Sequence, residues 1–157
     1  MDVNGFKGPN SEARNGKQYD IRSFKVAKFS KGCAGNEIKG VGCVYQLSSY
    51  SPIKAGTEDM KKYDPKYDAV GYTSDNYWAG AKKACDELGM SLPDTSKLKS
   101  LAKKTTAEKE QLGLPTSGWF WSSEYGARHA FTVNFSGGKP DIYYKSYSDD
   151  KGLCVGD

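Results

Sequence analysis

The sequence predicts an α+β chain, and three observations point there. Eighteen glycines among 157 residues imply many turns, which argues against a helical bundle. From Asp75 to Leu88, the residues Tyr77, Ala81, Ala84, Cys85 and Leu88 fall on one stripe at helical spacing. Further on, Ala130-Phe131-Thr132-Val133-Asn134-Phe135 alternates as a half-buried strand does, and Ser136-Gly137-Gly138 supplies a hairpin turn.

Taken in order, residues 1–18 read as a flexible N-terminal arm and residues 19–157 as a single domain. Tyr19 to Phe29 carries Ile21, Phe24, Val26 and Phe29, a spacing that predicts one or two strands. Gly32 to Gly42 reads as a glycine-rich loop, and Cys43 to Leu47 as a strand. Residues 48–72, with Pro52, Gly56, Pro65 and Gly71, are expected to be a long irregular insertion with one helical turn near Glu58 to Tyr63. Ser74 or Asp75 is the expected cap of the helix over 75–88, and Gly89 fits its left-handed end. A second helix follows Pro93, capped by Asp94 or Thr95, with Leu98, Leu101 and Ala102 inward. The lysine-rich run from Lys97 to Lys109 reads as its solvated outer face. From Trp119 onward the pattern is strand and loop. Trp78, Trp121, Phe131, Val133, Phe135 and Leu153 are the expected scaffold.

Composition narrows the function classes. The net charge of +4 is mild and spread along the chain, so it permits acidic glycans or anionic surfaces without demanding nucleic acid. No apolar run approaches the roughly 20 residues that span a membrane, and Met1 to Gln18 carries no signal-peptide pattern. The four cysteines, Cys33, Cys43, Cys85 and Cys154, form an even set with no CxxC pair, beside one histidine. A tetrahedral zinc site would have to draw on widely separated thiols, so disulfides and an oxidising compartment are the expectation. His129 is the sole imidazole, and any Cys/His pair or Ser/His/Asp triad would depend on it; it reads instead as a surface contact. Gly137-Gly138 lies inside a hairpin, not in a phosphate-binding turn. No catalytic residue, cofactor or metal is expected.

What remains is a surface that binds. The C-terminal stretch is rich in Tyr, Ser, Asp and Gly: tyrosine offers large contact area for two torsions, and the small polar residues adaptable hydrogen bonds. Tyr125, Arg128, His129, Asp141, Tyr143, Tyr144, Ser146, Tyr147, Asp149 and Asp150 are the expected ligand contacts. Adjacent tyrosines in one strand face opposite ways, so Tyr143 and Tyr144 cannot both point inward.

Several fragments together resemble the C-type lectin-like fold in its bacterial and phage branch. They are Tyr77-Trp78, Ala81, Ala84-Cys85, Gly89, Leu92-Pro93-Asp94-Thr95-Ser96-Lys97-Leu98, Leu101, Phe120-Trp121-Ser122-Ser123-Glu124-Tyr125 and Leu153-Cys154-Val155. The resemblance covers roughly residues 75–157. It departs from the family in the segment from Ser48 to Tyr72, which is much longer than the usual link. It implies a disulfide from Cys85 on the first helix to Cys154 on the last strand, and a second from Cys33 to Cys43. The calcium-dependent sugar site of animal lectins is matched only by Lys139-Pro140-Asp141, where Lys139 puts a cation in place of an oxygen ligand and no Trp-Asn-Asp follows. Asp149-Asp150 reads as a solvated turn.

A narrower resemblance is to the variable proteins of diversity-generating retroelements, which carry this fold. There, adenines of Asn-type codons are mutated to give Tyr, Ser, Asp, Gly, His, Ile and Thr, and both Gly126 to His129 and Asp141 to Cys154 look like such output between fixed residues. This implies a protein or glycan ligand on another cell or particle surface, and a location outside the cell or on a cell or virion surface. A constant adhesin domain for acidic glycans is the alternative, and a pilus-type or surface-layer subunit another.

Overall fold

The structure, a computed structural model, describes Cys33 and residues 35–156. The chain divides after Ala34 into two units, of which the second, Gly35–Asp157, contains the elements below. The expected arm over residues 1–18 and the strands over 19–29 lie outside the described residues. In chain order the elements are β1 (Asn36–Ile38), β2 (Gly42–Gln46), α1 (Glu58–Tyr63), α2 (Pro65–Val70), α3 (Tyr77–Glu87), α4 (Thr95–Ala102), α5 (Thr106–Leu112), β3 (Trp119–Tyr125), β4 (His129–Asn134), β5 (Pro140–Tyr144) and β6 (Leu153–Gly156). The α+β expectation stands at that level.

Two antiparallel sheets organise them, β1-β2-β6 and β3-β4-β5. In the first, Cys43 stands opposite Gly156 and Gln46 opposite Leu153, so the start and finish of the unit share a ladder. The second sheet is buried on both faces at one end. Opposed residues of antiparallel strands share a face. The register Trp121↔Thr132, with Ala130↔Tyr143, puts Trp121 on one face, where it packs in a cluster with Trp78, Cys85, Cys154, Met60 and Tyr67. Phe120↔Val133 occupies the other face and meets Phe135, Leu98, Leu101 and Leu153.

Local signals account for most helix ends. Asp94 caps α4 by accepting from the Lys97 N–H at 2.7 Å, and Gly89 adopts a φ of 72° just after α3. The cap of α3 is Asn76, not Ser74 or Asp75. Its Oδ1 accepts from Ala79 N–H at 2.8 Å while its amide donates to Asp64 Oδ2 at 2.9 Å; Asp75 pairs instead with Lys54 at 3.1 Å. Asn76 caps α3 locally, as a favoured N-cap residue does, and its contact with Asp64 fixes it in place.

Three further expectations are corrected. Residues 48–72 are irregular only in part: the helical turn expected near Glu58 to Tyr63 is α1, but a second helix, α2, follows it, the two capped by Thr57 and Asp64, with Met60, Tyr63 and Tyr67 buried. Pro65 starts α2 instead of breaking structure, because a first-turn proline gives up an N–H with no helical partner. The lysine-rich run is not one outer face, since α4 stops at Ala102 and a capping box between Thr105 and Glu108 opens α5. That turn buries Lys109, whose ammonium donates to the Phe135 carbonyl. Phe131 is not scaffold; it shares the Phe120 face but lies beyond the end that α4 covers, 38% exposed.

Candidate functional site

The motifs at Leu92 to Leu98 and Phe120 to Tyr125 fold onto each other. The register of β3 against β4 breaks between Trp121 and Tyr125, and the residues in that irregularity turn toward the start of α4. Ser123 N–H donates to Pro93 O at 2.8 Å, the Ser122 and Thr95 hydroxyls lie 2.9 Å apart, and Glu124 accepts from Thr95 N–H at 3.2 Å. A carboxylate there also meets the positive end of the helix. Trp78 donates its indole N–H to Ser122 O at 2.8 Å.

The structure separates the expected contact residues into groups. On the Phe120 face, past the end of α4, the register His129↔Tyr144 and Phe131↔Ile142 assembles an uncovered patch. Phe131 is 38% exposed, and Ile142 and Tyr144 are each 49% exposed. His129 lies on Tyr144 with ring centroids 4.3 Å apart, and the Arg128 guanidinium is 5.0 Å from the Tyr144 ring and 5.3 Å from that of Tyr72. β5 has no partner on its outer side among the described strands. The rings of His129 and Tyr144 and the Arg128 guanidinium thus pack on one another within the patch.

Tyr143 turns to the opposite face. Its ring is edge-on to Trp119 at 5.3 Å and stacked on Tyr147 at 5.2 Å, leaving it half-buried against the core. Burial raises its hydroxyl pKa above the ordinary tyrosine value, and the Asp141 and Asp150 carboxylates add to the shift. Asp141, Ser146, Tyr147 and Asp149 are exposed. Asp150 is not a solvated turn residue: it is 3% exposed, and neither carboxylate oxygen has a hydrogen-bond partner. Burial pushes its pKa up to about 7, with Asp149 and Asp141 adding repulsion.

Tyr125 is half on the surface and half structural. It lies on Trp78 at 4.5 Å, and beneath it is a buried ammonium, that of Lys145, 4.5 Å from the Tyr125 ring and 4.6 Å from the Trp78 ring. Lys145 pairs with Asp64 at 2.8 Å, both side chains fully buried, and donates to Ala127 O at 3.1 Å. Desolvation lowers the Lys145 pKa and the Asp64 partner opposes that. This pair ties the segment after β5 to the cap of α2 and, through Asn76, to the cap of α3. Sequence reasoning missed Asp64, Asn76 and Lys145, because polar residues in turns carry no periodicity that separates buried from solvated.

Cys85 and Cys154 are bonded across a separation of 69 residues, Cys33 and Cys43 are each disulfide-bonded, and no free cysteine occurs among the described residues. Among those residues no group of three or more His, Cys, Asp or Glu is placed to hold a metal, and no helix is long and apolar enough to cross a membrane. No curated protein and no solved structure matches the chain. A family model does match residues 68–149, the stretch from α2 to the turn before Asp150 that includes the patch and Lys145. On that match, which spans more than half of its length, the chain belongs to the domain family of unknown function DUF8780.

Proposed function

We propose that this protein is a non-catalytic binding module of C-type lectin-like type that engages a protein or glycan ligand on another cell or particle surface, with a diversified contact surface as in retroelement variable proteins. The observation that carries the reading is the patch of Arg128, His129, Phe131, Ile142 and Tyr144, uncovered, aromatic and held by contacts among its own side chains. Exposed apolar groups gathered beside an arginine mark interaction surfaces. The bond between Cys85 in α3 and Cys154 in β6 supports the lectin-like reading. The disulfides support a location outside the cell or on a cell or virion surface. His129, the lone imidazole, is engaged with a tyrosine ring, which suits contact better than proton transfer.

Sequencing many natural copies of the gene tests the diversified form. Substitutions should concentrate at adenine-containing codons for Arg128, His129, Ile142, Tyr144, Ser146, Tyr147 and Asp149, and spare Trp78, Trp121, Val133, Phe135 and Leu153. Variation spread evenly over patch and core would sink it. The adhesin alternative draws on the lysines of α4, Lys97 and Lys99. Retention on an array of acidic glycans, lost in Lys97→Glu/Lys99→Glu and kept in Tyr144→Ser, would favour it.

A further inference from the structure

The buried ion pair beneath Tyr125 is one part of a larger polar cluster. Asp64, Asn76 and Lys145 are each 0% exposed, and one oxygen joins them. Asp64 Oδ2 accepts from Lys145 Nζ at 2.8 Å and from Asn76 Nδ2 at 2.9 Å. The backbones are held alongside, since the N–H of Tyr77, next to Asn76, donates to Lys145 O at 2.7 Å. Around the ammonium stand the rings of Tyr125 at 4.5 Å, Trp78 at 4.6 Å and Tyr67 at 5.8 Å. An ion pair in such a setting is a weak source of stability, because both ions have lost their water.

The same setting suits amide chemistry. Desolvation lowers the Lys145 pKa, and Lys66 and Lys82 add to that against the pull of Asp64. A desolvated lysine is a nucleophile once it gives up a proton. Asp64 is placed to take that proton, and the same oxygen reaches the amide nitrogen of Asn76, so it can carry a proton from one nitrogen to the other. The Asn76 carbonyl is polarised: its Oδ1 accepts from the Ala79 N–H at 2.8 Å, at the positive end of α3. Nucleophile, proton carrier and activated carbonyl stand together where water is excluded and hydrolysis does not compete.

We propose that Lys145 and Asn76 become joined by an amide bond, with Asp64 as the proton carrier. Asp64 takes one proton from the ammonium, and the freed Nζ lone pair attacks Asn76 Cγ. Asp64 passes that proton to Nδ2 and takes a second from Nζ. The Cγ–Nδ2 bond breaks with its electron pair going to nitrogen, and ammonia leaves. Nothing is oxidised or reduced, and Asp64 ends protonated, so two opposite charges disappear from the core. The chain folds first with the ion pair intact, and the bond accumulates afterwards. It fixes the segment that follows Tyr144 to the start of α3, and it stands whatever the patch binds.

Mass spectrometry of the full chain, freshly purified and again after several days at neutral pH, tests it. The incubated chain should be lighter by the mass of one ammonia. After reduction, trypsin should leave it uncut at Lys145 and release residues 67–82 joined to residues 129–151. Asp64→Asn, which keeps the shape and cannot carry the proton, should yield no joined peptide; the map of the unaltered chain carries the test if that variant does not fold. An unchanged mass after incubation, ammonia loss that maps to another asparagine, loss of water with Lys145 joined to Asp64, or a joined peptide that persists in Asp64→Asn would overturn the proposal.

Discussion

At the scale of single residues, burial of charge sets the behaviour. The folded pKa of Asp150 is raised to about 7, above the ordinary carboxyl value near 4. The folded state therefore holds this proton more tightly than the unfolded one, and the stabilisation it brings is complete in acid and lost as pH rises toward 7. Asp150→Asn should raise the melting temperature at pH 8 by several degrees and change it little at pH 4.5, which calorimetry at the two pH values checks. The Asp64–Lys145 pair responds differently, because each charge there has its partner. Removing one member strands the other in the core, so Lys145→Ala should cost about 3–5 kcal/mol by urea denaturation. Lys145→Met with Asp64→Leu should cost clearly less than the two single changes summed. Neither residue was legible in the sequence. Lys145 stands between Tyr144 and Ser146 in a stretch whose composition reads as surface, and only the long-range approach of Asp64 makes it core.

Elements were legible where a local rule decides them. The stripe of α3, the Asp94 cap and the β4–β5 hairpin follow from spacing and turn chemistry within a few residues. The turn at Glu58 to Tyr63 was legible, but α2 was hidden because prolines and glycines read as breakers, whereas Pro65 initiates a helix and Gly71, with φ of 88°, closes it. The Phe131 face was misjudged because alternation reports which residues share a face, not how far a covering helix extends. That difference is measurable. Phe131→Ser, Ile142→Ser and Tyr144→Ser should each leave stability within about 1 kcal/mol, while Trp121→Ala should cost roughly 3–5 kcal/mol. Equal losses would mean that the patch is covered in solution. Gly80 is required for another reason: a Cβ there would collide with the carbonyl oxygen of Ser51. Gly80→Ala should therefore push α3 away from residues 51–52, lowering the melting temperature more than a change to alanine at any exposed position of α3.

Across the whole molecule, the class and the Cys85–Cys154 link were foreseeable, the first from composition and periodicity, the second from a resemblance between fragments. The division of the chain after Ala34 and the two-sided burial of the β3-β4-β5 sheet were not, since both depend on contacts between distant segments. The pairing of Cys43 with Gly156, together with that disulfide, also decides how the unit carries mechanical load. Pulled from its two ends, the β2–β6 ladder lies in an unzipping geometry, with its hydrogen bonds opening one after another. Peeling from the β6 side halts at Cys154, and unravelling from the other side halts at Cys85. From there tension crosses the sulfur–sulfur bond and bypasses everything between. The bypassed loop contains α4, α5, β3, β4 and β5, and with them the patch. In single-molecule stretching, the released length should stop short of the loop's contour until a reductant is added, then increase by it. A surface held this way keeps its shape while the chain around it is strained.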